Sequence, residues 1–360
     1  MKTLICIGFM TVMLSCGAMA QSEKSARKSP AADFKYQTEQ FADTRILRYQ
    51  VPGFEQLSLN QKLLVYYLSQ ATLAGRDIIY DQNYRYNLLV RKTLEAIREG
   101  YKGDRSTPEF EAFSVYLKRV WFCNGIHHHY STDKFFPEFT KDYFAALVKG
   151  TKTSLLPLAK GQKLEAFIAE ITPVIFDQEV APKRVSLDPA GDLVALSACN
   201  FYEGVSREEA EKFYASLKEK AKLEGRDTLI SFGLNSRLVK SDGMVTEQVY
   251  KSGGLYGPAI DRIIQWLNKA LPFAENPAQA ESIRKLISFY QTGSLVTWDE
   301  YNIAWVRDLE SKVDFINGFI EVYGDPMAMK GSWEAMVNFK DVEATRRTEV
   351  SARADATTTS

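Results

Sequence analysis

The three histidines of the chain stand side by side as His127, His128 and His129, so every histidine-dependent chemistry converges on one stretch. A zinc-hydrolase helix needs two histidines one turn apart so that both imidazoles face one ion, and no pair here has that spacing. On a strand His127 and His129 would face the same side, but two ligands are too few without a carboxylate partner, and the sequence identifies none. Residues 124–130 mix Asn, Gly, His and Tyr. Such hydrogen-bonding groups on a loop after a helix favour contact with a ligand over a purely solvated loop. Nucleophilic catalysis finds little support: no Gly-x-Ser-x-Gly is present, and Cys123 would need a base placed beside it in space. Gly253-Gly254-x-x-Gly257 is too short for a dinucleotide loop and reads as the approach to a helix. The segment 318–326 sets Glu321 and Asp325 around Tyr323. Carboxylates so placed can hold a cationic amine, or they can be solvated acids at a Pro-stopped turn.

Helices must position these groups. Ser58 with Gln61 predicts a capping box that opens a helix, with Gly75 as its stop. Residues 84–99 read as a second helix. Thr107, Pro108 and Glu109 predict the start of a third, with Phe110, Phe113, Tyr116, Leu117 and Val120 at helical spacing, running into Trp121 and Phe122. Pro137 and Glu138 predict a helix to Val148, and residues 160–171 another, whereas 185–201 lack helical spacing and suggest strand and loop. Ser206 with Glu209 predicts a cap on a charged helix ending near Leu223. Residues 230–240 and 244–250 flank Ser241-Asp242-Gly243 as a hairpin. Helices follow over 256–271 and from Pro277, capped by Asn276, to about Tyr290. The whole is a mainly helical α+β chain.

With 360 residues, 45% hydrophobic and 12% aromatic, the chain can bury a substantial core. Lys plus Arg and Asp plus Glu both number 45, so no basic field favours nucleic acid. Lys2, an apolar run over 4–14 and Ala18-x-Ala20 before Gln21 read as a signal peptide over 1–20, too short to span a bilayer. Cys16, after Leu14 and Ser15, offers an alternative lipid anchor, so the expected location is periplasmic or anchored to the envelope. Residues 21–33 read as a flexible linker and 351–360 as a disordered tail, because neither has large apolar groups to offset the entropy of ordering. Export permits a disulfide between Cys123 and Cys199, with two buried thiols as the alternative.

Three stretches then resemble the M49 metallopeptidases, the dipeptidyl peptidase III family, and in particular their exported bacterial branch. They are Asn124-Gly125 through Asp133-Lys134-Phe135-Phe136-Pro137, then Phe289-Tyr290-x-x-Gly293-Ser294, then Gly318-Phe319-Ile320-Glu321-x-Tyr323-x-Asp325-Pro326. The resemblance spans residues 41–349 and matches the first half of a family member. It implies the lower lobe of a two-lobed fold with a mixed β-barrel or sheet, the zinc lobe being missing, over a partial family region of 34–350. By the same resemblance Asn124, Tyr130, Tyr290, Asn317, Glu321 and Tyr323 bind substrate, a short peptide held by its free amino terminus and stretched along a strand. Gly324 departs from relatives that carry a charged residue there. Family members bind zinc through a His-Glu-x-x-x-His helix and a later glutamate, and no such helix occurs in these residues. The expectation is a truncated homologue of a dipeptide-releasing zinc exopeptidase, with no catalytic residues and no bound zinc of its own, and with short peptides and a separately encoded C-terminal half as candidate partners. The alternative is a non-catalytic periplasmic peptide-binding module.

Overall fold

Helix α1 (Leu59–Asn83) opens on a reciprocal capping box: Ser58 Oγ accepts from Gln61 N at 3.2 Å, and Gln61 Oε1 accepts from Ser58 N at 2.9 Å. The computed structural model describes residues 34–225 and 230–348. The signal segment, Cys16, the linker and the 351–360 tail lie outside the described residues. Contacts divide the chain into the units Met1–Pro52 and Gly53–Ser360. The described part of the first is a hairpin of β1 (Gln37–Phe41) and β2 (Thr44–Leu47), turned at Ala42 with φ 45°.

In the second unit α1 does not stop at Gly75. The helix runs on to Asn83, and Gly75 is buried in it because the Trp333 indole lies against the backbone there. A Cβ at Gly75 would sit 2.1 Å from Trp333 Cζ2. Glycine here serves close approach, not termination. Gly75→Ala is therefore expected to destabilise the fold by about 1–3 kcal/mol through overpacking, read as a lowered urea midpoint at unchanged slope. An unchanged midpoint would show that Trp333 moves aside freely.

One core is built by α2 (Asn87–Gly100), α3 (Pro108–Phe122), α4 (Lys141–Lys149) and α5 (Leu164–Phe176). Thr107 Oγ1 caps α3 as expected, accepting from Phe110 N at 3.2 Å. Helix α4 begins later than Pro137, because the Thr140 hydroxyl accepts from Tyr143 N at 3.1 Å and supplies the cap that Pro137 and Glu138 do not. Residues 185–201 form no strand among the described residues. Their backbone is turned instead by short side chains: Asp188 Oδ1 accepts from Ala190 N at 2.9 Å and Asp192 Oδ1 from Val194 N at 2.8 Å.

Strand β3 (Tyr202–Glu203) pairs in parallel with β4 (Ser236–Ser241), and β4 pairs antiparallel with β5 (Met244–Val249). Asp242 and Gly243 have φ of 50° and 78°, the doubly positive turn expected for this hairpin. Helix α6 (Arg207–Leu223), with the expected capping box of Ser206 and Glu209, packs its Ala210 and Tyr214 against Leu238 of this sheet.

The second large core joins α1 to α7 (Gly257–Ala270), α8 (Pro277–Thr292), α9 (Leu295–Arg307) and the antiparallel pair β6 (Val313–Phe319) and β7 (Trp333–Phe339). Helix α9 has a readable signal, since Ser294 accepts from Thr297 N at 3.4 Å and Trp298 and Tyr301 face the core. The expected β-barrel is corrected: the described strands form separate sheets of two, three and two strands, none of them closed. So few strands cannot satisfy both edges by curling, and α1 packs on β6 and β7 where a further strand layer would lie.

Candidate functional site

A cleft of about 1160 Å³ opens between the end of α1, the loop after α3, the segment 183–188 and the chain linking β6 to β7. Its first wall is set by a sharp reversal at Asn124 (φ 51°) and Gly125 (φ 142°). The Asn87 side chain clamps that reversal, donating to Tyr80 O at 3.1 Å and accepting from Ile126 N at 3.1 Å. It fits only because residue 125 is glycine, where a Cβ would lie 2.1 Å from Asn87 Nδ2. Asn83 Nδ2 donates to Asn124 O at 3.1 Å and completes the clamp. Asn124 and Tyr130 consequently line the cleft, Tyr130 with 85% of its surface exposed.

The three imidazoles have separate fates. His127 is buried, its Nε2–H donates to Ala181 O at 2.8 Å, and its Nδ1 is buried with no hydrogen-bond partner. Burial pushes this imidazole down to about 4. His128 Nδ1 accepts from Tyr130 N and Ser131 N, both at 3.2 Å, and so shapes the loop. His129 faces the cleft, its Nδ1 3.7 Å from Cys123 Sγ. His127 and His129 therefore do not face one ion. Cys199 is buried like Cys123, and no disulfide joins them.

Across the cleft Ile320 N donates to Ser332 O at 3.0 Å and Ser332 N to Glu321 O at 2.8 Å, extending the β6–β7 ladder to the cleft edge. Glu321 and Tyr323 line this wall, as does Glu334 at the start of β7. Burial, then the Glu321 charge, raises the Glu334 carboxyl above its ordinary range, and burial, Glu321 and Glu334 together raise the Tyr323 phenol. Two carboxylates in one wall favour a cation between them. Asp325 is not part of this pair. It is buried and ties the turn, its Oδ1 accepting from Met327 N at 3.1 Å and its Oδ2 from Met329 N, Lys330 N and Tyr202 Oη, each at 2.9 Å.

Tyr290 and Asn317 are brought together elsewhere. Tyr290 Oη donates to Asn317 Oδ1 at 2.6 Å in the core, where the two are 0% and 2% exposed, and neither lines the cleft. Arg184 and Glu334 do line it, and neither carried a sequence signal. Arg184 is held by Asn83 Oδ1 at 3.1 Å and His129 O at 3.2 Å.

The family model for peptidase family M49 matches residues 234–357, which include the Glu321, Tyr323 and Glu334 wall. Dipeptidyl peptidase 3 of Rattus norvegicus is 25% identical over 328 residues, 81% of this chain and 43% of the relative. The Homo sapiens counterpart is 23% identical over 318 residues, 79% and 42% of the two chains. The structure of DPP III from Caldithrix abyssi superposes with TM-score 0.54 at 19% identity, covering 84% of this chain and 44% of that one. Over residues 234–357 the chain is similar to peptidase family M49, and its fold is similar to that of the DPP III chains. It spans about 43% of the length of these curated relatives.

M49 peptidases use zinc, and the described residues of this chain do not fit such a site. Among the described residues no group of three or more His, Cys, Asp or Glu is arranged to hold a metal ion. The chemistry of the donors agrees, because the fold already engages His127 at Ala181 and His128 at the 130–131 amides. No described helix is long and apolar enough to cross a membrane.

Proposed function

We propose that the cleft takes the amino-terminal end of a short peptide, as the peptide-recognising part of a dipeptide-releasing exopeptidase. The observation that carries this reading is the pair Glu321 and Glu334 beside Tyr323, two carboxylates and a phenol on one wall of a cleft large enough for several residues. An ammonium group there relieves the repulsion between the two acids. Asn124 and Tyr130, on the facing wall, offer hydrogen bonds to the peptide main chain. On this reading the described residues bind without cutting, since no three His, Cys, Asp or Glu among them are arranged to hold a water-activating metal ion. Residues 1–20 support export to the periplasm, by signal-peptide cleavage after Ala20 or by lipid attachment at Cys16.

Calorimetric titration with trialanine checks the reading. Acetylating the peptide amine, or making Glu321→Gln, is expected to weaken binding about tenfold, the loss of one charge-assisted hydrogen bond. Equal affinity for free and acetylated peptide would overturn amine recognition. Zinc-dependent dipeptide release from a fluorogenic amide by the purified chain would overturn the non-cutting half of the proposal.

A further inference from the structure

Arg184 is only 8% exposed, yet it lines the cleft. Of the five N–H bonds of its guanidinium, Asn83 Oδ1 and His129 O take two, and both acceptors are neutral. Its Nε is buried with no hydrogen-bond partner. Among the described residues, the groups acting on its charge are Cys199, Tyr323 and Cys123, with no Asp or Glu between them. The neighbouring Lys183 is already engaged with Asp133 at 3.2 Å. A buried cation without an anion is costly, and fixing it by two neutral acceptors holds it rigid for one. Binding residues are paired in this way when the ligand brings the missing charge.

We propose that Arg184 is the carboxylate-binding group of the cleft, so that the site selects zwitterionic peptides, amine toward Glu321 and Glu334, carboxylate toward the free Nη hydrogens of Arg184. This rests on the peptide reading above. The opposed poles argue for a carboxylate over a phosphate, because Glu321 and Glu334 repel a polyanion while a zwitterion satisfies both walls. The carboxylate comes either from the peptide's own C-terminus or from an acidic side chain near its start.

Two peptide contrasts on the unmodified protein separate these sources: trialanine against trialanine amide, and Ala-Asp-Ala amide against Ala-Asn-Ala amide. At least one is expected to show about tenfold tighter binding of the carboxylate form. Arg184→Gln should abolish that contrast, and Arg184→Lys should keep part of it by keeping the charge. N-acetylglycine, which has a carboxylate and no amine, should shift the Nε–H resonance of Arg184 in a titration followed by NMR. Trialanine that binds with neither contrast overturns the proposal and leaves amine recognition standing. No peptide binding with a saturable N-acetylglycine shift at Arg184 overturns the peptide reading and keeps the anion site. An unmoved Arg184 resonance overturns the anion site, and because the peptide contrasts and this resonance use the native chain, the test survives a misfolded variant.

Discussion

Lys330→Met is expected to destabilise the protein by about 3–5 kcal/mol, the cost of removing one member of a buried charged network. Lys330 is fully buried, and its Nζ donates to Tyr214 Oη and to Ser236 Oγ, the latter at 3.1 Å. The ammonium lies over the rings of Tyr202 and Tyr214 at 5.6 Å and 4.6 Å and feels the charges of Glu247 and Asp325. Methionine matches the length of the stem but leaves those carboxylates without a counter-charge. Asp325 also clamps the turn that follows Glu321 and Tyr323, so the loss should reach the cleft as weaker peptide binding. Urea unfolding of the variant measures the first effect and calorimetry the second. A loss under about 1 kcal/mol would mean the network relaxes around an apolar stem and contributes specificity, not stability.

Acid should weaken the fold through His127. Its folded imidazole resists protonation to about 4, against an ordinary 6.5 in the unfolded chain, because burial among Arg184 and Lys134 opposes a further cation. Between those values the unfolded state holds one more proton, so stability is intact above about pH 7 and falls as pH drops through this window. The contribution amounts to roughly 3 kcal/mol by pH 4. His127→Gln keeps a donor for Ala181 O without titrating. The stability difference between the native protein and this variant should shrink by that amount from about pH 7 to about pH 4, followed by denaturant unfolding at each pH. A difference independent of pH would place the imidazole in contact with water.

Local signals were readable because their physics is local. The Ser58, Thr107, Ser206 and Asn276 caps each satisfy backbone donors within three residues, and each begins a helix where expected. The Asp242-Gly243 turn is likewise a matter of two backbone angles. Gly75 misled for the opposite reason. What it touches is Trp333, far along the chain, and no local pattern distinguishes a glycine that ends a helix from one that admits an indole. The same holds for residues 185–201, where Asp side chains bend an apolar stretch that spacing alone suggested as strand.

Sequence by itself determined the capped helices, the hairpin, the single histidine stretch and the two segments, 124–130 and 318–326, that meet at the cleft. Tertiary structure alone decided the assignments within them: Glu321 and Tyr323 face the cleft while Asp325 ties a turn, and Tyr290 pairs with Asn317 in the core. It also joined Glu334 and Arg184 to the site, opposing two acids to one buried cation. The physical reason is that a capping bond or a tight turn is settled over a few residues. Charge pairing and burial, by contrast, depend on which distant segments share a low-dielectric space, and that is known only once the chain has closed around them.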